Sequence, residues 1–182
     1  MTDEELKNLV ASLAVSQKET DAKFKETDAK FKETDRFLKE IGKAVGSYGN
    51  VEGQIFEDQI FYSFQKHPYL NDIKFEEVQR NWKRSMHGLA AEYDVVLLNG
   101  SFVGVVEAKR KLEKEDVIKF SEKTLPVFKS LYPDMQDKKL IGAFAAATVD
   151  ERVLDAAKDA GILILTQDGQ ALRVVSDTMK EY

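Results

Sequence analysis

The chain has 182 residues, a net charge of −5 at neutral pH and no cysteine, which excludes disulfides and thiolate zinc sites. No apolar run approaches the roughly 18 residues needed to cross a bilayer. The opening residues Met1 to Glu5 lack the basic and then apolar regions of a signal peptide, so a cytoplasmic protein without membrane association is expected.

The first segment repeats every seven residues: Lys18 to Phe24, Lys25 to Phe31, Lys32 to Leu38. Extending the register puts Val10, Phe24, Phe31, Leu38 and Val45 at heptad position a. Leu6, Leu13, Ile41 and the threonines Thr20, Thr27 and Thr34 take d. An apolar period of 3.5 residues held over about six heptads marks a left-handed coiled coil. Lys23 and Lys30 at g can pair with Asp28 and Asp35 at the following e between parallel helices. A helix this polar needs a partner for its stripe, so residues 6–45 are expected to form a homo-oligomer, with dimer, trimer and tetramer all open. Residues 1–48 are read as this oligomerisation helix and 49–182 as one folded domain.

Gly46 and Gly49 are expected to end the helix, with Asn50 capping the next. Val51–Gln65 has a helical apolar period at Ile55, Phe56, Ile60 and Phe64, closed by His67-Pro68. Ile73–Trp82 alternates as a strand. Glu113–Leu131 is an amphipathic helix with a break at Pro126. Lys139–Ala147 is a strand buried on both faces, Glu151–Ala160 a short helix ended by Gly161, and Ile162–Thr166 a parallel strand. Asp168-Gly169 turns into a last strand, Ala171–Val175. The fold class is α/β, a mixed sheet flanked by helices and preceded by a long N-terminal coiled-coil helix.

The centre of the chain, about Ala90–Lys109, reads as a β-hairpin turning at Asn99-Gly100, a dipeptide suited to a type I′ turn. If Leu98 pairs with Ser101, Asp94 faces Val105 and Glu92 faces Glu107, so Glu92, Asp94, Glu107 and Lys109 share one face. Clustered carboxylates in an apolar sheet call for a cation, here Mg2+ or Mn2+. Asp94 and Glu107, diagonal across the hairpin, would share the ion with the Ala108 carbonyl, and Glu57 on the preceding helix would reach it directly or through water. Lys109 would orient the attacking water or stabilise developing charge. Glu92 is read as a hydrogen-bonding neighbour. Arg80, Lys83, Arg84, Arg110, Lys111 and Lys114 flank the site as phosphate contacts or as a solvated surface. No small-molecule cofactor motif appears.

The order of helix with Glu57, strand, strand with Asp94, strand with Glu107-Ala108-Lys109, helix and strand resembles the core of the PD-(D/E)XK nuclease superfamily. Gly88-x-x-x-Glu92-x-Asp94 is similar to its Holliday-junction resolvase and Mrr-like branches, and the likeness continues through Ala143–Thr148 and Gly161–Thr166. Tyr93 stands where the family usually has proline, and Lys119 is the nearest match to an additional helix residue. The resemblance implies a restriction-endonuclease-like fold that hydrolyses DNA phosphodiester bonds with Mg2+ or Mn2+, with Asp94, Glu107, Lys109 and Glu57 as catalytic residues. The alternative is an assembly or adaptor protein whose coil is the working part and whose nuclease-fold head cuts nothing. The net negative charge, unusual for a nucleic-acid binder, favours that alternative.

Overall fold

The computed structural model describes residues 2–182 except Gln170 and Asp177, with only the backbone of Glu5, Leu9, Val10, Ala11, Ala44, Ser47, Tyr48 and Asn50. The heptad role given to Val10 and the capping side chain of Asn50 therefore lie outside the described residues. The chain divides into two compact units, Met1–Asn50 and Val51–Tyr182.

The first helix, α1, runs Asp3–Lys66. Gly46 and Gly49 do not end it, contrary to expectation. Neither takes a positive φ, and without a left-handed residue or a proline the i→i−4 ladder continues, at a cost of about 1 kcal/mol per glycine relative to alanine. Within the first unit, Lys30–Glu26 (2.7 Å), Lys32–Asp28 (2.9 Å) and Arg36–Glu40 (3.2 Å) make i,i+4 ion pairs along the helix.

The second unit is built on a six-stranded mixed sheet in the order β3-β4-β5-β6-β7-β8. Its strands are β3 (Glu77–Met86), β4 (Leu89–Leu98), β5 (Phe102–Lys111), β6 (Lys139–Thr148), β7 (Leu163–Asp168) and β8 (Ala171–Ser176). β5, β6 and β7 are parallel and the other pairings antiparallel. A two-stranded ribbon, β1 (Tyr69–Leu70) with β2 (Ile73–Lys74), precedes the sheet. The single strand expected over Ile73–Trp82 is thus split, and β3 runs four residues further.

Each face of the sheet is covered. Phe56, Ile60, Phe61 and Phe64 recur at helical spacing in the last turns of α1 and pack on Val95, Leu97, Val106, Ile141 and Ala143. Burying one such phenylalanine contributes roughly 1.5–3 kcal/mol, which fixes this end of α1 to the sheet. The other face carries α2 (Lys114–Lys119), α3 (Leu125–Leu131) and α4 (Glu151–Ala160), whose Val117, Leu125, Phe128, Val153 and Ala157 meet Val96, Val103, Val105 and Phe144. The α/β class, the mixed sheet between helices and the long N-terminal helix are as expected.

Between α2 and α3 a π-turn, Phe120–Thr124, interrupts the helix expected over Glu113–Leu131, just before the break expected at Pro126. The Leu125 N–H donates to the Phe120 carbonyl. Pro126, lacking an N–H, opens α3 at its first turn, where that donor is not needed.

Candidate active site

Two hairpins position the acidic residues, and neither turns as the sequence pattern suggests. The two-residue type I′ turn is His87-Gly88, where both φ angles are positive (52° and 78°) between the paired Met86 and Leu89. Asn99 and Gly100 have no positive φ. Instead, Asn99 Oδ1 accepts from the N–H groups of Ser101 (2.9 Å) and Phe102 (2.7 Å), and its Nδ2 donates to the Lys74 carbonyl (2.7 Å). This side-chain-closed turn shifts the register: Leu98 pairs with Val103, not Ser101, and Val95 with Val106. The shift is two residues, so the face is kept, but Asp94 falls opposite Glu107 instead of diagonal to it.

A second departure occurs at Asp94 itself. Tyr93 and Trp82 pack on the α2–α4 side, as Val96 does, whereas Val95 and Val78 pack against α1. Strict alternation would put Tyr93 with Val95. The β3–β4 register is the same on both sides, Arg80↔Val95 and Trp82↔Tyr93, so no residue is inserted. The ribbon reverses its faces at Asn81, which holds a left-handed φ of 50° opposite Asp94.

At this twist the Asp94 carboxylate accepts a 2.8 Å hydrogen bond from the Ala108 N–H through Oδ2, and its carboxyl group lies close enough to that of Glu107 to share a proton. Burial, followed by the Asp94 charge and the proton shared with it, pushes Glu107 up to about 8. Burial also raises Asp94, opposed by the Ala108 N–H, the Glu107 carboxyl and Lys109. Glu57 on α1 is raised by burial and then by the charges of Asp94, Glu92 and Asp58, with Lys109 pulling the other way. Four of the residues singled out from sequence, Glu57, Asp94, Glu107 and Lys109, therefore act on one another in space. Two exposed ion pairs bracket Glu57 along the chain: Arg110–Glu52 (3.1 Å) and Arg80–Asp58 (2.9 Å).

The flanking basic residues are mostly engaged by acids. Lys83 pairs with Glu92 (2.9 Å), Arg84 with Asp134 (2.9 Å) while lying over the Tyr132 ring, and Lys111 with Glu113 (2.8 Å). Glu92 thus faces a lysine on β3.

A cleft of about 390 Å³ opens beside the pair, with Glu107, Lys109, Lys119 and Lys123 on its walls and Phe120 and Phe144 among its lining. Among the described residues none of the three lysines has an ion-pair partner. Lys123 stands four residues after Lys119, a spacing that puts both on one face of a helix, and this is the signal in the sequence that would have found it. Tyr93 and Tyr132 lie in the core beneath, their hydroxyls buried without a hydrogen-bond partner among the described residues, and both phenols are raised chiefly by burial.

No three His, Asp or Glu side chains among the described residues converge as a ready-made metal cage. The donor set is a half-buried carboxylate pair with raised proton affinity beside an open cleft. That chemistry fits a hard divalent ion, which commonly uses one or two carboxylates and keeps several waters.

No protein-family model and no curated protein matches the chain. Among solved structures it is similar to Can2 from Sulfobacillus thermosulfidooxidans in complex with cyclic tetra-adenylate (16% identity, TM-score 0.43) and to a repair endonuclease from Pyrococcus abyssi (16%, 0.45). It is also similar to the small subunit of a heterodimeric restriction endonuclease (14%, 0.38). Each match covers 62% of this chain and 29%, 46% and 62% of the respective neighbour, less than two thirds in every case.

Proposed function

We propose that the chain is a metal-dependent nuclease that hydrolyses DNA phosphodiester bonds and assembles through the helix of residues 6–45. The observation that carries this reading is the Asp94–Glu107 pair: two carboxyl groups held together half-buried, with a proton retained near neutrality, where a cation would replace that proton.

Asp94 and Glu107 are the residues that would hold Mg2+ or Mn2+, with Glu57 nearby. The Ala108 carbonyl is a further donor, because in an extended strand it points to the same side as the N–H that Asp94 already accepts from. Such an ion supplies charge neutralisation at the phosphate and acidity to water. The chain's own groups do the rest. The Ala108 N–H fixes the Asp94 carboxylate in one orientation. Lys109 presents an ammonium group to the cleft, where it orients water or meets charge growing on a phosphate oxygen. Lys119 and Lys123 on the facing wall hold neighbouring phosphates.

The second reading, a coiled-coil assembly protein with an inert head, is favoured by the lack of a three-carboxylate cage among the described residues. One assay separates the two. The protein is incubated with plasmid, single-stranded and branched DNA in Mg2+ or Mn2+, beside E107A and K109A. Cleavage by the wild type that both substitutions abolish supports the nuclease. Equal inactivity of all three proteins, with assembly intact, supports the inert head.

A further inference from the structure

Leu6, Leu13, Phe24, Phe31, Leu38, Ile41 and Val45 form one stripe of the first unit and are between 42% and 69% exposed. Between them stand Thr20, Thr27 and Thr34, whose hydroxyls donate to the carbonyls of Ser16 (2.9 Å), Lys23 (2.8 Å) and Lys30 (2.9 Å). With its O–H satisfied inside its own helix, each threonine can turn its methyl group into a seam and leave no donor unpaired. Apart from Gln17 at one a position, the described part of the stripe is therefore apolar in effect.

The residues on its two edges decide what covers it. One edge carries Asp21, Asp28 and Asp35, and the other carries Lys23 and Lys30. Parallel helices set the lysine edge of one against the aspartate edge of the next. Antiparallel helices set aspartate against aspartate and lysine against lysine. A pattern complementary to itself in one direction and repulsive in the other needs no foreign partner. The intrahelical Lys30–Glu26 and Lys32–Asp28 pairs are exposed and of little worth, so they exchange readily for pairs between helices. We infer that residues 6–45 bind a second copy of this chain as a parallel, in-register coiled coil, lysine edge to aspartate edge. The inference rests on the coil reading of this segment and is independent of the chemistry of the second unit.

Because the chain has no cysteine, single-cysteine variants of the full protein report the alignment directly. L13C and I41C sit on the stripe near its two ends, and V15C sits on the outer face. In a glutathione redox buffer, L13C and I41C should each form disulfide-linked pairs with themselves about tenfold faster than V15C, through the raised effective concentration. A mixture of L13C and I41C should give negligible hybrid. Hybrid in excess of self-pairs would overturn the parallel alignment. Sedimentation of the wild type as a single chain at tens of micromolar would overturn the coil reading itself. A second series keeps the test valid if the cysteines loosen the seam. D21K/D28K/D35K, placing lysine against lysine, should weaken association, and adding K23D/K30D should restore it. Association unchanged in the first of these would also overturn the parallel pairing.

Discussion

Asp94 and Glu107 meet across the β4–β5 hairpin with their carboxyl groups close enough to share a proton. Glu107, raised from 4.5 to about 8, is the holder. In the absence of divalent ions the folded protein keeps a proton that the unfolded chain releases near pH 4.5. The stability this contributes is complete below pH 4.5 and is lost as pH rises through about 8. Melting in a chelator should therefore drop across that window by an amount on the order of 2–4 kcal/mol, and E107Q should flatten the dependence. A wild-type profile already flat in that window would show that the two carboxyl groups do not share a proton.

Adding Mg2+ or Ca2+ should reverse this loss. A cation bound to the native state at a hundred times its dissociation constant stabilises by about 2.7 kcal/mol. Since it displaces the shared proton, its apparent affinity should increase as pH climbs towards 8. Differential scanning with and without the ion, on wild type, D94N and E107Q, checks both points. The shift should appear in the wild type alone.

The parts of this site that follow from local pattern were legible in the sequence. Asp94, Glu107 and Lys109 lie within one hairpin, and two-residue alternation around Val95–Leu98 and Val103–Val106 is enough to put them close together. The register was not legible, because Asn99 closes its turn with its own side chain and leaves the type I′ geometry to His87-Gly88. Nor was the reversal of faces at Asn81: alternation assumes a constant pleat, and Tyr93 and Val96 on one side break it without any inserted residue. The continuity of α1 past Gly46 and Gly49 shows the same thing for helices, since glycine weakens a helix but ends it only with a left-handed φ or another break.

Lys109 is exposed and unpaired among the described residues, so removing its charge should leave the fold alone. K109M is expected to melt within a few degrees of the wild type and to lose about 10²–10³ in kcat, the scale of one preorganised electrostatic contact. K123A, further along the same wall, should raise KM for DNA and steepen no pH dependence. Steady-state kinetics in Mn2+ distinguishes the two patterns, and a K109M enzyme with undiminished kcat would remove Lys109 from the chemistry.

Gly142 couples the sheet to the floor of the cleft. A Cβ there would stand 2.7 Å from Leu125, 2.8 Å from Ile162 and 2.9 Å from Phe120, closer than van der Waals contact permits. G142A should therefore cost about 1–3 kcal/mol by overpacking. Because Phe120 lies in the cleft wall beside Lys119 and Lys123, it should also weaken DNA binding. Urea unfolding and a binding titration measure the two effects. Stability equal to the wild type would mean that the three side chains have room to retreat.

Asn81 offers the sharpest test of the twist that delivers Asp94. It holds φ 50° opposite Asp94, a conformation that asparagine and glycine tolerate and β-branched residues do not. N81G should be neutral or stabilising by less than about 1 kcal/mol, whereas N81V should lose about 1–3 kcal/mol. The valine also favours a regular strand, which would send Tyr93 to the α1 face and pull Asp94 off the Ala108 N–H. N81V should therefore lose the cation-induced rise in melting temperature along with its stability, while N81G keeps it. If N81V were as destabilised as expected yet bound Mg2+ like the wild type, the reversal at Asn81 would be a feature of the ribbon alone and not the device that aims Asp94.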